Sequence, residues 1–313
     1  MKIVLLDTNK LTEQMIEMVA EKFSQFGEYK SYESTTLYNI VEHAYQAEVI
    51  LTNKAELQKS HFELLPNLKY VIVIATGYDC VDVKSAVQKN IKVSNIPGYS
   101  SEIVAQHAIA LLLELTNHVG KRSDLVMNKR QWLSAVSNLT ELSGLTLGIM
   151  GFGNIAKKVI AIGSALGMKI LVHSRKDNYI TDLNVEFVSK DELFKKSDVI
   201  SLHLPCTEET KCMINNDSLS LMKPSAYLIN TSRGGLVNED DLYAALSKKK
   251  IAAAALDVME IEPPKSDNKL FTLDNCIITP HNAWLSDSSL KRWIDILEKN
   301  IIGYKNGELV NLV

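Results

Sequence analysis

Short apolar runs recur along this chain, separated by longer amphipathic stretches: "KIVLLD" at residues 2–7, "AEVILTN" at 47–53, "KYVIVIAT" at 69–76 and "IKVSNIP" at 91–97. Runs that are apolar at nearly every residue suit strands buried on both faces, and helical segments between them suit the crossovers of a parallel sheet. The alternation resumes from residue 145 with "LTLGIMG", "KILVHS", "DVISLHLP", "SAYLINTS", "IAAAALDV" and "NCIITP". The expected class is α/β in two doubly wound domains, and 313 residues suffice for a core in each.

Between the two series, "PGYSSEIVAQHAIALLLELTNHV" places Pro97 and Gly98 as breakers, Ser100 or Ser101 as a helix cap, and then a long apolar helix. A hinge is expected near residue 99. Near the end, "SDSSLKRWIDILEKNIIGYKNG" spaces Leu290, Trp293, Ile294, Leu297 and Ile301 as one apolar face of a helix. A formal charge of −3 gives no general pull toward nucleic acid or anionic lipid, and the lysine run "SKKK" at 247–250 reads as solvated charge at a helix end. Cys80, Cys206, Cys212 and Cys276 form no CxxC pair, and the seven histidines show no ligand spacing, so no metal is expected. His107 and His118, in the apolar helix region, are expected to hydrogen-bond or to face an interface. "MKIVLLDTNK" lacks a secretory signature and no apolar run reaches membrane length, so a soluble cytoplasmic protein is expected.

"LTLGIMGFGNIAKK" carries Gly151-x-Gly153-x-x-Ala156 directly after an apolar strand and at the start of a helical stretch. The first glycine permits a tight turn, the second lets backbone approach a pyrophosphate, and the third position needs only a small residue. N–H groups at the helix start then face the phosphates, so a dinucleotide is the expected ligand.

Further residues follow the later strands: Arg233 in "LINTSRGGLVNEDDL", Asp257 and Glu262 in "LDVMEIEPP", His281 in "TPHNAW". Ligands of open α/β sheets bind beyond the carboxyl ends of the strands, where these residues could converge. Singly, an arginine is a solvated charge and a histidine after proline is loop structure. Their joint order with the glycines is more specific, and it resembles the D-isomer-specific 2-hydroxyacid dehydrogenase family. "ATGYDCVD", "NIPGYSSEIVAQHAIALLLEL", "HLPCTEET", "NTSRGG", "LDVMEIEPP" and "TPHNAW" carry the resemblance over nearly the whole chain. "ATGYDCVD", "LLLELTNHVG" and "TPHNAW" are most similar to its glycerate dehydrogenase, or hydroxypyruvate reductase, branch.

The resemblance implies a Rossmann nucleotide-binding domain, residues 100–285, inserted into a flavodoxin-like substrate domain made of 1–99 and 286–313. It implies reversible transfer of hydride between NAD(P)H and a small 2-oxo acid, with hydroxypyruvate or glyoxylate reduced to D-glycerate or glycolate. Arg233 would hold the substrate carboxylate, His281 would protonate the carbonyl oxygen, and Glu262 would pair with His281. Thr76 and Gly77 would add backbone donors to the carboxylate as a cleft closes. Val104 would pack near the nicotinamide and Asp257 would accept from its carboxamide. Asn154 and Ile155 would lie at the pyrophosphate, with Pro205, Thr210, Thr231 and Ser232 along the rest of the cofactor. A homodimer built on the long apolar helix is implied too. Alternatives are a reductase of another 2-oxo acid, of the D-lactate type, related formate or phosphite chemistry, and a dinucleotide-sensing corepressor without turnover.

One position departs from the family's pattern. "KILVHSRK" ends with Ser174, Arg175 and Lys176 where members preferring NAD carry a strand ending in Asp. An Asp accepts from the ribose hydroxyls and repels a 2′-phosphate, whereas Ser beside Arg can donate to one. NADP is therefore expected ahead of NAD.

Overall fold

Each of these apolar runs forms a strand in the computed structural model, which describes residues 1–132, 139–175 and 183–313. β1 (Lys2–Leu5), β2 (Glu28–Ser31), β3 (Val49–Thr52), β4 (Tyr70–Val73) and β5 (Lys92–Ser94) make a parallel sheet in the order β2-β1-β3-β4-β5. This is the flavodoxin-like doubly wound order. The edge strand β2 has no apolar run to announce it: "EYKS" leaves three of its four residues exposed and the fourth only partly covered. At an edge, backbone pairing to one neighbour suffices, so the side-chain pattern carries no signal.

β6 (Thr146–Met150), β7 (Lys169–His173), β8 (Glu186–Phe187), β9 (Val199–Leu202), β10 (Tyr227–Asn230), β11 (Ala253–Leu256) and β12 (Cys276–Ile278) form a second parallel sheet, ordered β12-β11-β10-β9-β6-β7-β8. Strand order reverses at β6 and β9, the topological switch point of a Rossmann fold. The short edge strand β8 also escaped the sequence pattern, for the reason that hid β2. Along the central strands the side chains alternate between two cores. Leu147, Ile149, Val199, Ile229 and Ala255 face one, with the helices Ser101–Asn117 and Asn154–Ala165; Met150, Ile200, Leu202, Leu228 and Leu256 face the other. "AAAL" would favour helix by intrinsic propensity, but burial on both faces makes it β11, whose small side chains let the helix Ser101–Asn117 pack on it.

The chain divides into two compact units, Met1–Ser100 with Ser286–Val313, and Ser101–Leu285. The predicted C-terminal helix spans Asp287–Asn306, and Leu290, Trp293, Ile294, Leu297 and Ile301 are all buried. Its polar groups tie it to the first unit: Trp293 Nε1 donates to the Ile74 carbonyl at 2.7 Å, and Asn300 Nδ2 to the Asn95 carbonyl at 2.9 Å. The long apolar helix starts at Ser101 and stops at Asn117, since His118 takes a left-handed φ of 51° before a second helix, Val119–Met127. Among the described residues no helix is long and apolar enough to cross a membrane.

Candidate active site

The glycine turn follows β6. Gly151 has φ of +98°, and a Cβ there would lie 2.3 Å from the His203 carbonyl oxygen, so the turn admits only glycine. Gly153 differs: a Cβ there would meet nothing within 4 Å. Its backbone faces open space at the N-terminus of the helix Asn154–Ala165, where the N–H groups of Asn154 and Ile155 begin the first turn. The fold itself does not require glycine at 153, whereas close approach of a pyrophosphate does. Ala156 is fully buried, so only a small side chain fits at the third position.

The turn after β10 is held by Asn230, whose amide oxygen accepts from Ser232 N at 3.0 Å while its Nδ2 donates to the Arg233 carbonyl at 2.9 Å. Ser232 Oγ donates to the Leu204 carbonyl at 2.6 Å, joining this turn to the one after β9. A Cβ on Gly234 would lie 1.9 Å from the Met259 carbonyl, so the turns after β10 and β11 meet backbone to backbone. Among the described residues the buried Thr231 Oγ1 has no hydrogen-bond partner, although a buried hydroxyl normally has one. This orphan hydroxyl and the open Gly153 cradle both fit a polar ligand along the carboxyl edge of the sheet. Arg233 is half-buried, and its side chain reaches its own turn, donating from a guanidinium nitrogen to the Ser232 carbonyl at 2.8 Å.

His281 and Glu262 stand together beyond β12 and β11. His281 Nδ1 is 2.6 Å from Glu262 Oε2, and Glu262 Oε1 accepts from Met259 N at 3.0 Å, which fixes the carboxylate. The carboxylate can only accept, so Nδ1 carries a proton and the remaining ring nitrogen, Nε2, faces away from it. Nε2 makes no hydrogen bond among the described residues. His281 has φ of 52°, a left-handed conformation that a side chain with Cβ adopts at a cost of about 1 to 2 kcal/mol. Its carbonyl accepts from Trp284 Nε1 at 2.9 Å.

Asp257 is 1% exposed and supports that turn from below. Oδ1 accepts from Thr279 Oγ1 at 2.6 Å and from Asn282 N at 3.1 Å, and Oδ2 from Ala283 N at 3.0 Å. Sequence reasoning offered Asp257 a cofactor contact and missed this anchoring task, together with Thr279, Asn230, Gly234 and Trp284. Only the doubled glycine of "SRGG" hinted at a close backbone approach.

The other predicted cofactor residues lie elsewhere in the second unit. Val104 is buried near the start of the helix Ser101–Asn117. Thr210 uses its hydroxyl within its own loop, donating to the Pro205 carbonyl at 2.7 Å and accepting from Thr207 N at 2.7 Å. Ser174 is half-buried just past β7, Arg175 is exposed, and Lys176 lies outside the described residues. Beside the turn after β9, desolvation of the His203 imidazole pushes its pKa down to about 4, so this ring stays neutral, 2.8 Å from Ser201 Oγ. In the first unit, Thr76 Oγ1 donates to the Ile96 carbonyl at 3.0 Å and its own carbonyl accepts from Asn95 Nδ2 at 2.7 Å. The N–H groups of Thr76 and Gly77 donate no hydrogen bond among the described residues. Nor do those residues contain a cluster of three or more His, Cys, Asp or Glu able to hold a metal.

Comparison with known proteins gives this geometry a family. Residues 109–283 match the model of the D-isomer specific 2-hydroxyacid dehydrogenase, NAD binding domain. A hydroxypyruvate reductase of Blautia hydrogenotrophica is 39% identical over 322 aligned positions, which cover 100% of this chain and 99% of that protein. Among solved structures, an acyclic imino acid reductase in complex with NADPH and D-Arg superposes with a TM-score of 0.90 at 31% identity, covering 100% of both chains. A D-lactate dehydrogenase from Aquifex aeolicus, complexed with NAD and lactic acid, superposes with a TM-score of 0.88 at 32% identity, covering 98% of this chain and 96% of that one. With a Rossmann strand order, a glycine cradle at its switch point and a paired histidine and glutamate past the last strands, the chain belongs to the D-isomer-specific 2-hydroxyacid dehydrogenases, nicotinamide-dependent oxidoreductases.

Proposed function

We propose that this enzyme reduces hydroxypyruvate and glyoxylate, with NADPH preferred over NADH, and that Arg233, Glu262 and His281 carry the chemistry. The observation behind the residue roles is the 2.6 Å contact between His281 Nδ1 and Glu262 Oε2. It leaves Nε2 as the atom that can give or take a proton. The bound nicotinamide supplies the hydride. Arg233 holds the substrate carboxylate through its planar fork, which suits bidentate recognition. His281 Nε2 donates a proton to the carbonyl oxygen in reduction and takes it back from the hydroxyl in oxidation. Glu262 accepts from Nδ1 and so fixes the ring's orientation. Gly151, Gly153, Asn154 and Ile155 cradle the pyrophosphate, while Thr231 offers its orphan hydroxyl.

The substrate class rests on the branch motifs and on the Blautia relative, which is named for hydroxypyruvate. The cofactor preference rests on Ser174 and the exposed Arg175. A charge-assisted hydrogen bond to a 2′-phosphate contributes roughly 1.5 to 3 kcal/mol, or about 10- to 150-fold. Steady-state rates with hydroxypyruvate, glyoxylate and pyruvate, each with NADH and NADPH, test both parts. Hydroxypyruvate or glyoxylate with NADPH is expected to give the highest kcat/KM, and faster turnover of pyruvate would move the assignment to the D-lactate type. No turnover of any 2-oxo acid, with cofactor binding intact, would leave a dinucleotide sensor. Ser174→Asp combined with Arg175→Ala is expected to move the preference toward NADH; an unchanged NADPH to NADH ratio refutes the role of these residues.

A homodimer is part of the same proposal. It is supported by apolar side chains left exposed between residues 113 and 139: Leu113, Val119, Met127, Leu139 and above all Trp132, at 82%. Sedimentation of the protein at micromolar concentration is expected to give the dimer mass, and a monomer mass would contradict it.

A further inference from the structure

His107 takes no part in the chemistry proposed for this site, yet it reaches a residue 172 positions away in the chain: its Nε2 lies 3.1 Å from Thr279 Oγ1. The same nitrogen is 3.6 Å from Asp257 Oδ1. Thr279 has a single hydroxyl proton, and it is committed to Asp257 Oδ1 at 2.6 Å. The hydroxyl oxygen therefore meets His107 only as an acceptor, which requires a proton on Nε2. The result is a directed chain: His107 Nε2–H to Thr279 Oγ1, Thr279 O–H to Asp257, with Asp257 accepting in addition from the N–H groups of Asn282 and Ala283. Those two N–H groups belong to the residues that directly follow His281.

We propose that His107 is a positioning residue for His281, a donor that orients Thr279 and, through it, the carboxylate pinning the turn at residues 279–283. The proposal rests on the acid–base role assigned to His281. The turn needs such a tether because His281 sits at φ of 52°, a conformation that persists only where surrounding contacts over-determine it. Asp257 is 1% exposed, so the donors that reach it act in a low dielectric. His107 and Val104 are also three residues apart on one helix and share a face. The helix that carries Val104, the position the resemblance implies for packing on the nicotinamide, thus sets the proton-donating turn as well.

His107→Leu is expected to lower kcat by about 10- to 100-fold, the effect of a small misplacement of a reacting group, with substrate KM and the fluorescence-titrated affinity for NADPH little changed. His107→Gln, whose Nε2 can present a donor at the same place, is expected to restore most of kcat. Thr279→Val should match His107→Leu, and the double variant should add little to either, since both cut one chain. Wild-type kcat in His107→Leu overturns the proposal, and so does a Gln variant as impaired as the Leu variant, which would leave packing as the only role. If His107→Leu does not fold, Thr279→Val decides alone, and wild-type kcat in it overturns the proposal. His281→Asn measured alongside separates the two levels: if it keeps full turnover, the acid–base assignment falls. An inactive His281→Asn beside a fully active His107→Leu refutes only the tether.

Discussion

Replacing His281 with asparagine is expected to lower kcat for 2-oxo acid reduction by about 10² to 10⁴-fold, the usual contribution of a general acid, while NADPH still binds. Asparagine is a neutral amide of similar reach. It can still hydrogen-bond to Glu262 and tolerates the left-handed backbone at this position better than most residues do, so the turn is expected to survive. What it cannot do is deliver a proton to the developing alkoxide. Glu262→Gln should cost less than His281→Asn: the amide oxygen can accept from only one of Met259 N and His281 Nδ1, so the ring is held less firmly while its proton-donating Nε2 remains. Single-turnover reduction followed at the reduced-nicotinamide absorbance, with cofactor affinity measured separately, reads the two effects apart. A His281→Asn enzyme with undiminished single-turnover rate would remove this histidine from the chemistry.

Arg233→Gln is the second large effect, and it should appear in KM as well as kcat. Two charge-assisted bonds to a carboxylate contribute about 3 to 6 kcal/mol together, so kcat/KM is expected to fall by about 10² to 10⁴-fold. The turn itself should hold, because Asn230 grips it through the Arg233 carbonyl and the Ser232 N–H, both main-chain groups. Arg233→Lys keeps a charge and loses the fork, so it should fall between wild type and Gln. Addition of guanidinium ion to an Arg233→Ala enzyme should restore part of the rate if the lost group acts on the substrate. Gln and Lys variants that keep the wild-type kcat/KM would show that another residue receives the carboxylate.

Where its signals are local, the candidate site can be read from the sequence. Gly151, Gly153 and Ala156 stand within six residues, since the turn and the helix packing both occur there. The order of the motifs offers Arg233, Glu262 and His281 as candidates, each past an apolar run, and the fold brings Glu262 and His281 together. The helix of residues 287–306 could be read from five apolar positions, and all five are buried. The edge strands β2 and β8 left no trace, because an edge strand needs backbone pairing and not an apolar pattern.

The amino-acid order by itself determined the α/β class, the turn chemistry at the glycines and the residue types available for proton transfer and carboxylate binding. These follow from period, sterics and side-chain chemistry, which act over a few residues. Only the tertiary structure decided that Asp257 spends its carboxylate on the His281 turn, that Gly153 faces open space while Gly151 is locked against a carbonyl, and that His107 reaches Thr279 from a distant helix. Those outcomes depend on which strands become neighbours. Packing of the helix Ser101–Asn117 on the sheet brings His107 to Thr279, 172 positions away, and no local pattern encodes that distance.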